Sequence, residues 1–275
     1  MELFDVLEQV RIRAPLVQCI TNFVTVNDCA NILLAAGASP NMAQDIREVE
    51  EAVAGADGLV CNLGAIDLVD SMILAGKRAS ELGIPVVLDP VAAGGTMLRR
   101  ELSAKLLEEV RFTAIRGNAS EIRALARQGG RGSGVDLCAT DAMTEENLAE
   151  SVALVRQLAE NLHSVIAVSG KLDIVSDGTR TAILRNGCAT MARITGSGCM
   201  LTTLVGGFCA AVPEHPFEAT CAAMAAMGIC GEIAEEMRLQ NKTGNATFRT
   251  DLIDAVFNLT EQELKERIRY EIYKG

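Results

Sequence analysis

A short glycine-rich segment, TGSGC at Thr195–Cys199, stands directly before a long apolar stretch. Glycines let a backbone approach a phosphate group closely, and the start of a helix offers unpaired N–H groups at the positive end of its dipole. The segment is therefore a candidate loop for holding the charge that moves in phosphoryl transfer, with Ser197, Gly198 and Cys199 as candidate catalytic residues. An ordinary turn, with Thr195 or Ser197 capping the helix, explains the pattern equally well. No G-x-x-x-x-G-K-[ST] motif is present.

A carboxylate ends the strongly apolar run at Pro85–Asp89. In open α/β sheets, ligands bind in the crevice beyond the carboxyl ends of the strands. Asp89 is accordingly a candidate Mg²⁺ ligand, because Mg²⁺ is commonly held by one or two carboxylates together with water and substrate phosphates. Asp-Pro is also a common way to start a turn, and for this dipeptide taken alone the turn interpretation is favoured.

Charged residues recur where the next predicted strand runs into a helix, at Arg116–Glu121. Arg116 is a candidate ligand of nucleotide phosphate, and Glu121 a candidate for organising magnesium through water. Asn118 and Glu121 also have the spacing of a helix N-cap and its third helical residue, which indicates a capping role. The sequence leaves both interpretations open for Glu121.

Two further candidates lie near the N-terminus. Asn22 ends a predicted strand in Ile20-Thr21-Asn22, and Met42 ends the segment Ala38–Met42. A methionine thioether is a polarizable apolar contact that suits a small sulfur heterocycle. A turn and a core-filling side chain are the simpler interpretation of these two residues.

The composition excludes several classes of protein. The 275 residues carry a formal charge of −11, with 49% hydrophobic and 3% aromatic residues. Such an acidic chain without a basic cluster is a poor partner for nucleic acid or an anionic membrane. Nine cysteines, an odd number without a C-x-x-C pair, indicate reduced thiols rather than disulfides or a zinc site. The N-terminus is an acidic amphipathic helix pattern and not a signal peptide, so we expect a soluble, cytoplasmic protein.

Short apolar runs alternate with helical patterns along most of the chain. This alternation predicts one α/β domain over residues 1–275, with helices on both faces of a mostly parallel sheet. A hairpin is predicted with its turn at Asp177-Gly178, an α-helical C-terminal part after Gly187, and a capping box at Thr260–Glu263. The predicted strands are Leu16–Ile20, Gly58–Leu63, Pro85–Asp89, Phe112–Arg116, Val165–Ser169 and Ala182–Leu184. The predicted helices include Val24–Ala36, Leu68–Leu82, Leu98–Val110, Leu148–Leu162, Cys199–Ala211, Phe217–Met237 and Ala246–Leu259.

Taken in order, these motifs resemble the hydroxyethylthiazole kinase family, whose fold is ribokinase-like with three α/β/α layers. Each matching segment is short, but the ordered set spans nearly the whole chain. The segments are ITN at Ile20–Asn22, GASPNM at Gly37–Met42, PVVLDPV at Pro85–Val91, IRGNASEI at Ile115–Ile122, AVSG at Ala167–Gly170, ITGSGCML at Ile194–Leu201 and TFRTDLID at Thr247–Asp254.

The resemblance implies ATP- and Mg²⁺-dependent phosphorylation of the hydroxyl of 4-methyl-5-(2-hydroxyethyl)thiazole, a step of thiamine salvage. It also implies a homotrimer with the thiazole site between subunits. Residue roles carried over from the family are thiazole contact for Asn22, Met42 and Gly196, ATP contact for Arg116 and Ser169, and magnesium binding for Asp89 and Glu121.

The chain departs from the family pattern at several positions. Ser169 replaces the usual threonine but keeps the hydroxyl. Residues 91–95 read VAAGG where V-G-A-G is more usual, and the usual serine after Asp136 is missing. These differences leave undecided the structure of the loop after Pro90 and the role of the loop around Asp136.

Cys199 occupies the position where related sugar kinases have an aspartate. A thiol at a helix N-terminus can have a lowered pKa without being a strong base. Since loose phosphoryl transfer needs little help from a base, the hypothesis is catalysis by loop N–H groups, Mg²⁺ and positioning. Alternatives are a related kinase acting on another alcohol, such as hydroxymethylpyrimidine, a hydrate repair enzyme of the same fold, and a binding module that has lost catalysis.

Overall fold

The computed structural model describes residues 1–129 and 143–274. In this part of the chain, nine strands form one sheet in the order β2-β1-β3-β4-β5-β6-β7-β8-β9. The strands are β1 Leu16–Ile20, β2 Ser39–Asn41, β3 Gly58–Asn62, β4 Val86–Asp89, β5 Ala114–Asn118, β6 Val165–Ser169, β7 Asp173–Ser176, β8 Thr181–Leu184 and β9 Tyr270–Ile272. The helices are α1 Asp5–Arg13, α2 Val26–Ala36, α3 Val49–Ala54, α4 Val69–Leu82, α5 Met97–Glu109, α6 Ala119–Gly129, α7 Leu148–Leu162, α8 Ser197–Ala211, α9 Pro216–Asn241, α10 Asn245–Asn258 and α11 Glu261–Arg267.

The sheet is parallel from β2 to β6 and antiparallel from β6 to β9. The parallel strands are buried on both faces, which explains why they read as continuous apolar runs. Their carboxyl ends therefore share one edge, and in the register of β3 with β4 Asn62 lies opposite Asp89.

Two apolar layers cover the sheet. Along β3, Val60 belongs to the layer that contains α8 and α9, whereas Leu59 and Cys61 belong to the opposite layer with α4 and α7. A Cβ atom at Gly206 would lie 2.2 Å from a methyl carbon of Val60. Glycine at this position therefore allows α8, whose first turn lies at the site, to pack directly on β3.

Most predicted elements are confirmed. The mostly parallel sheet is present, β1, β6 and α7 have the predicted bounds, and the hairpin β7–β8 turns at Asp177-Gly178. Thr260 and Glu263 form the predicted capping box. The predicted strand Phe112–Arg116 starts two residues later, as β5.

Two strands were not predicted. β2 consists of three residues including Pro40, and it lies at the edge of the sheet, where a missing N–H is tolerated. The predicted α-helical C-terminal part is confirmed as four helices, and it ends in the unpredicted strand β9, which pairs with β8. A strand of three residues has too little pattern to be found, because its pairing depends on tertiary context.

The β9 segment also closes a loop after β8. The Asn186 side chain donates to the Arg267 carbonyl at 3.0 Å and accepts the Arg269 N–H at 2.8 Å. Glu232 of α9 adds an acceptor for the Gly187 N–H at 2.7 Å and an ion pair with Arg269. The loop is thus held by residues distant in sequence.

Among the described residues, α9 is long and apolar enough to cross a membrane by length and composition alone, but 83% of its most apolar stretch is buried in the fold. It packs as a core helix between α8 and α10. The loop predicted at Gln128–Gly134 begins inside α6, which runs to Gly129. Its other residues, and Asp136, lie outside the described residues.

Candidate active site

The site is built where the parallel strands end. Asn62 is the last residue of β3, Asp89 of β4 and Ser169 of β6, while Asn22 follows β1 by two residues. The N-terminus of α8, which carries Cys199, lies against this edge. The topology thus brings together side chains that are up to 177 positions apart in sequence.

Hydrogen bonds join four of these side chains. The Asn62 amide nitrogen donates to Asp89 Oδ2 at 3.0 Å and to the Cys199 sulfur at 3.2 Å. The Asn22 amide nitrogen donates to Asn62 Oδ1 at 3.1 Å and to the same sulfur at 3.5 Å. The predicted residues Asn22, Asp89 and Cys199 are therefore neighbours, and Asn62 links them.

Asp89 is only 2% exposed. Burial raises the pKa of its carboxyl to about 6; Arg116 nearby opposes this shift and Glu121 adds to it. Removal from water disfavours the charged form, and at neutral pH the site contains a desolvated carboxylate whose charge is only partly balanced. Such a group favours the approach of a cation.

The Cys199 thiol is protonated at neutral pH. Burial and the adjacent Asp89 carboxylate raise its pKa to about 11, against the hydrogen bonds from its surroundings. The lowering that a helix N-terminus can produce is therefore outweighed at this position. A thiol in this state cannot serve as a strong base.

The glycine-rich loop forms the N-terminus of α8. Gly196 is the N-cap residue with φ +83°, and no side chain among the described residues caps the helix, so the capping interpretation of Thr195 or Ser197 is wrong. A Cβ atom at Gly196 would lie 2.7 Å from Thr25, and one at Gly198 would lie 2.7 Å from Arg116. The loop keeps its first N–H groups available to an anion.

A cavity of about 580 Å³ opens beside this loop, within the size range of small-molecule sites. Arg116 is 7% exposed, donates to the Ser169 hydroxyl, and has an Nε without a hydrogen-bond partner among the described residues. An unpaired buried donor on a cation fits a phosphate oxygen. The polar lining includes Arg116, Ser169, Lys171, Asp173, Arg185, Asn186 and Ser197, and the apolar lining includes Met191, Leu201, Met224 and Met227.

Glu121 has the structural role that the sequence left open. Its carboxylate accepts the N–H groups of Asn118 at 2.8 Å and of Ala92 at 2.9 Å, and Asn118 Oδ1 accepts the Glu121 N–H at 3.0 Å. It therefore caps α6 and holds the loop after Asp89. Ala92, where the family more usually has glycine, has φ +54°, a backbone conformation that costs alanine about 1 kcal/mol.

One predicted residue lies apart from the others, and one residue of the site was not predicted. Met42 lies outside the hydrogen-bonded group, half-exposed beyond the edge strand β2. Asn62 was missed, although it gives the same signal as Asp89: a polar side chain at the end of an apolar run. Reading every strand end in this way would have found it.

Two solved structures of low sequence identity share the fold of this chain. The pyridoxal kinase from Staphylococcus aureus in complex with AMP-PCP and pyridoxal has a TM-score of 0.56 and 14% identity, over 79% of this chain and 87% of that one. Pyridoxal kinase from Bacillus subtilis in an ADP complex has a TM-score of 0.56 and 17% identity, over 78% and 90% of the two chains. These similarities show the ribokinase-like fold.

More similar proteins define the family. Hydroxyethylthiazole kinase from Clostridium acetobutylicum is 46% identical over 97% of this chain and 98% of its own. The structure of the hydroxyethylthiazole kinase protein from Pyrococcus horikoshii has a TM-score of 0.87 and 35% identity, covering 99% of both chains. The model of the hydroxyethylthiazole kinase family matches residues 7–262. The chain belongs to this family.

The burial of Asp89 generates a prediction about stability. At neutral pH, Asp89→Asn should raise the free energy of unfolding by roughly 2–3 kcal/mol, because the pKa of about 6 in the folded protein exceeds the ordinary 3.8. The wild-type penalty is absent below pH 3.8, grows up to about pH 6 and is constant above it. Urea unfolding at pH 4 and pH 7.5 measures the difference, and an equal effect at both values would contradict it.

Proposed function

We propose that this protein transfers the γ-phosphoryl group of ATP to the hydroxyl of 4-methyl-5-(2-hydroxyethyl)thiazole, giving the thiazole phosphate for thiamine salvage. The observation that carries the proposal is the Asp89–Asn62–Cys199 cluster, which meets the uncapped N-terminus of α8 beside the cavity of Arg116 and Ser169. Family membership supplies the acceptor alcohol.

Charge stabilisation and positioning are the chemistry that these residues offer. The hydroxyl oxygen attacks the γ-phosphorus, the bond to the β-phosphate oxygen breaks so that ADP leaves, and the hydroxyl proton passes to solvent as the ester forms. The N–H groups of residues 197–199 face the charge on the transferring group, and Arg116 neutralises phosphate charge from the cavity side. Cys199 lies beside the reacting hydroxyl as a protonated thiol.

The donor set fits Mg²⁺. Among the described residues no three His, Cys, Asp or Glu side chains cluster as a metal cage, whereas Mg²⁺ in kinases needs only one or two carboxylates plus phosphates and water. Asp89 has the buried, desolvated carboxylate that would hold the ion, while its Oδ2 accepts from the Asn62 amide. Glu121 would act through water, since its two oxygens already accept backbone N–H groups. When bound, the ion neutralises charge on the phosphate oxygens.

The thiazole is proposed to lie near Asn22, Met42 and Gly196, between subunits of a homotrimer. Phe23 is 90% exposed and Val24 56% exposed, directly after Asn22. Large apolar side chains exposed beside a site are typical of an interface. Sedimentation of a single 29.2 kDa species at assay concentrations would contradict the trimer.

An ADP-release screen tests the function. Purified protein with Mg²⁺ and ATP should release ADP with the hydroxyethylthiazole at least ~100-fold faster, as kcat/KM, than with hydroxymethylpyrimidine, pyridoxal or sugar alcohols, because a site built to bind one hydroxyl-bearing group discriminates strongly. The phosphorylated product is checked by mass spectrometry. Faster ADP release with another alcohol would identify that alcohol as the substrate instead. Binding of ATP and thiazole without ADP release would indicate a binding module.

Cys199→Asp tests the role of the thiol. The amide N–H groups of Asn22 and Asn62 that now donate to sulfur would donate to a carboxylate, which is also favoured at a helix N-terminus. We expect kcat to be kept or raised, since no base function of the thiol is lost. Steady-state kinetics at pH 7.5 measures this, with Cys209→Ser as the control, because this buried cysteine of α8 does not line the cavity. A collapse of activity in Cys199→Asp would show that the thiol itself is needed.

A further inference from the structure

Asn62 is the most connected polar side chain of the site, and none of the predicted roles includes it. It is 1% exposed at the end of β3, in register with Asp89. Its amide makes four hydrogen bonds, to Asp89, Cys199, Asn22 and the backbone of Gly64. Because both the oxygen and the nitrogen of this buried amide have hydrogen-bond partners, the amide is held in one orientation.

The oxygen and the nitrogen of the Asn62 amide have different hydrogen-bond partners. Oδ1 accepts the Gly64 N–H at 2.9 Å and the Asn22 amide at 3.1 Å, which shapes the turn after β3. Nδ2 faces the other way and donates to Asp89 Oδ2 at 3.0 Å and to the Cys199 sulfur at 3.2 Å. Local structure is therefore formed by the oxygen, and the site is organised by the nitrogen.

Close packing fixes this arrangement. A Cβ atom at Gly64 would lie 2.6 Å from Asn62 Oδ1 and 3.0 Å from the Asn22 amide nitrogen. The amide is thus confined between the turn and the two groups that it holds. Because Asp89 comes from the sheet and Cys199 from α8, the Asn62 nitrogen sets the separation of two groups on different layers.

We propose that Asn62 is a positioning residue for phosphoryl transfer, whose amide nitrogen fixes the Asp89 carboxylate and the Cys199 sulfur relative to each other and to the reacting hydroxyl. The proposal rests on the function proposed above. Small displacements of reacting groups have large effects on rate, about 100-fold for roughly 1 Å. Removing the Asn62 amide leaves the substrate contacts of other residues in place, so the effect is expected on kcat rather than on KM.

Two substitutions separate the nitrogen from the oxygen. Asn62→Asp keeps Oδ1 and the turn but replaces the two N–H donors by a carboxyl oxygen, which also brings a second acidic group to the position 3.0 Å from Asp89 Oδ2. Asn62→Leu removes the whole amide at similar volume and adds no charge, so it is the cleaner test. We expect each to lower kcat roughly 100-fold, while KM for ATP and for the thiazole changes less than about threefold. Gly64→Ala, which displaces the amide without altering its chemistry, should lower kcat roughly tenfold.

Ser164→Ala is the matched control. Ser164 is a buried polar residue directly before β6, at the end of the strands away from the site. Its hydroxyl donates to the Phe112 carbonyl at 2.6 Å. Its loss should lower thermal stability and leave kcat unchanged. All rates are expressed per folded site, from calorimetric stoichiometry of Mg-ADP binding, so that unfolded protein does not count as lost catalysis.

The outcomes distinguish this proposal from the proposed function. A kcat of Asn62→Leu or Asn62→Asp within threefold of wild type overturns the positioning role, as does a rise in KM alone or an equal fall in kcat for Ser164→Ala. If the wild type does not phosphorylate the thiazole, the proposed function fails. The same kcat ratios, measured with the alcohol that the screen returns or on acceptor-free ATP hydrolysis, then decide the role of Asn62.

Discussion

The site depends on keeping one carboxylate out of water at the end of β4. Desolvation makes the Asp89 charge costly, and the fold tolerates it because Arg116 lies near and the Asn62 amide donates to it. A native protein has only some 5–15 kcal/mol of stability, so a cost of this kind is retained where function needs it. The same desolvation strengthens every electrostatic interaction at the site.

The other parts of the site are arranged around this carboxylate. Gly206 allows α8 to pack against β3, and its first turn then delivers Cys199 to the Asn62 amide. Glu121 ties the loop after Asp89 to α6, and Arg116 reaches the cavity from β5. The candidate catalytic groups therefore lie on strand ends and a helix terminus rather than on loops, which suits the proposed reaction, because it relies on positioning more than on a base.

The sequence predicted the parallel sheet, most helices and the positions of Asn22, Asp89 and Arg116 at strand ends, because apolar runs followed by polar residues report strand ends directly. The role of Ser169 was predicted from the family resemblance alone. Side-chain chemistry was harder to predict. The raised pKa of Cys199 results from burial against Asp89, which lies 110 positions earlier in the chain, and the pattern around Cys199 suggested a possible lowering instead. The strands β2 and β9 were not predicted, because a strand of three residues is too short to show a periodic pattern.

The closure of the sheet by β9 has a consequence for how the protein is made. Asn186, which lines the cavity, is held by the backbone of Arg267 and Arg269, and β8 obtains its outer neighbour only from residues 270–272. During synthesis from the N-terminus, the Asp89 edge is completed when α8 emerges, but this wall of the cavity gains its support some sixty residues later. A nascent chain therefore acquires the buried Asp89 cluster before it acquires the finished cavity beside it.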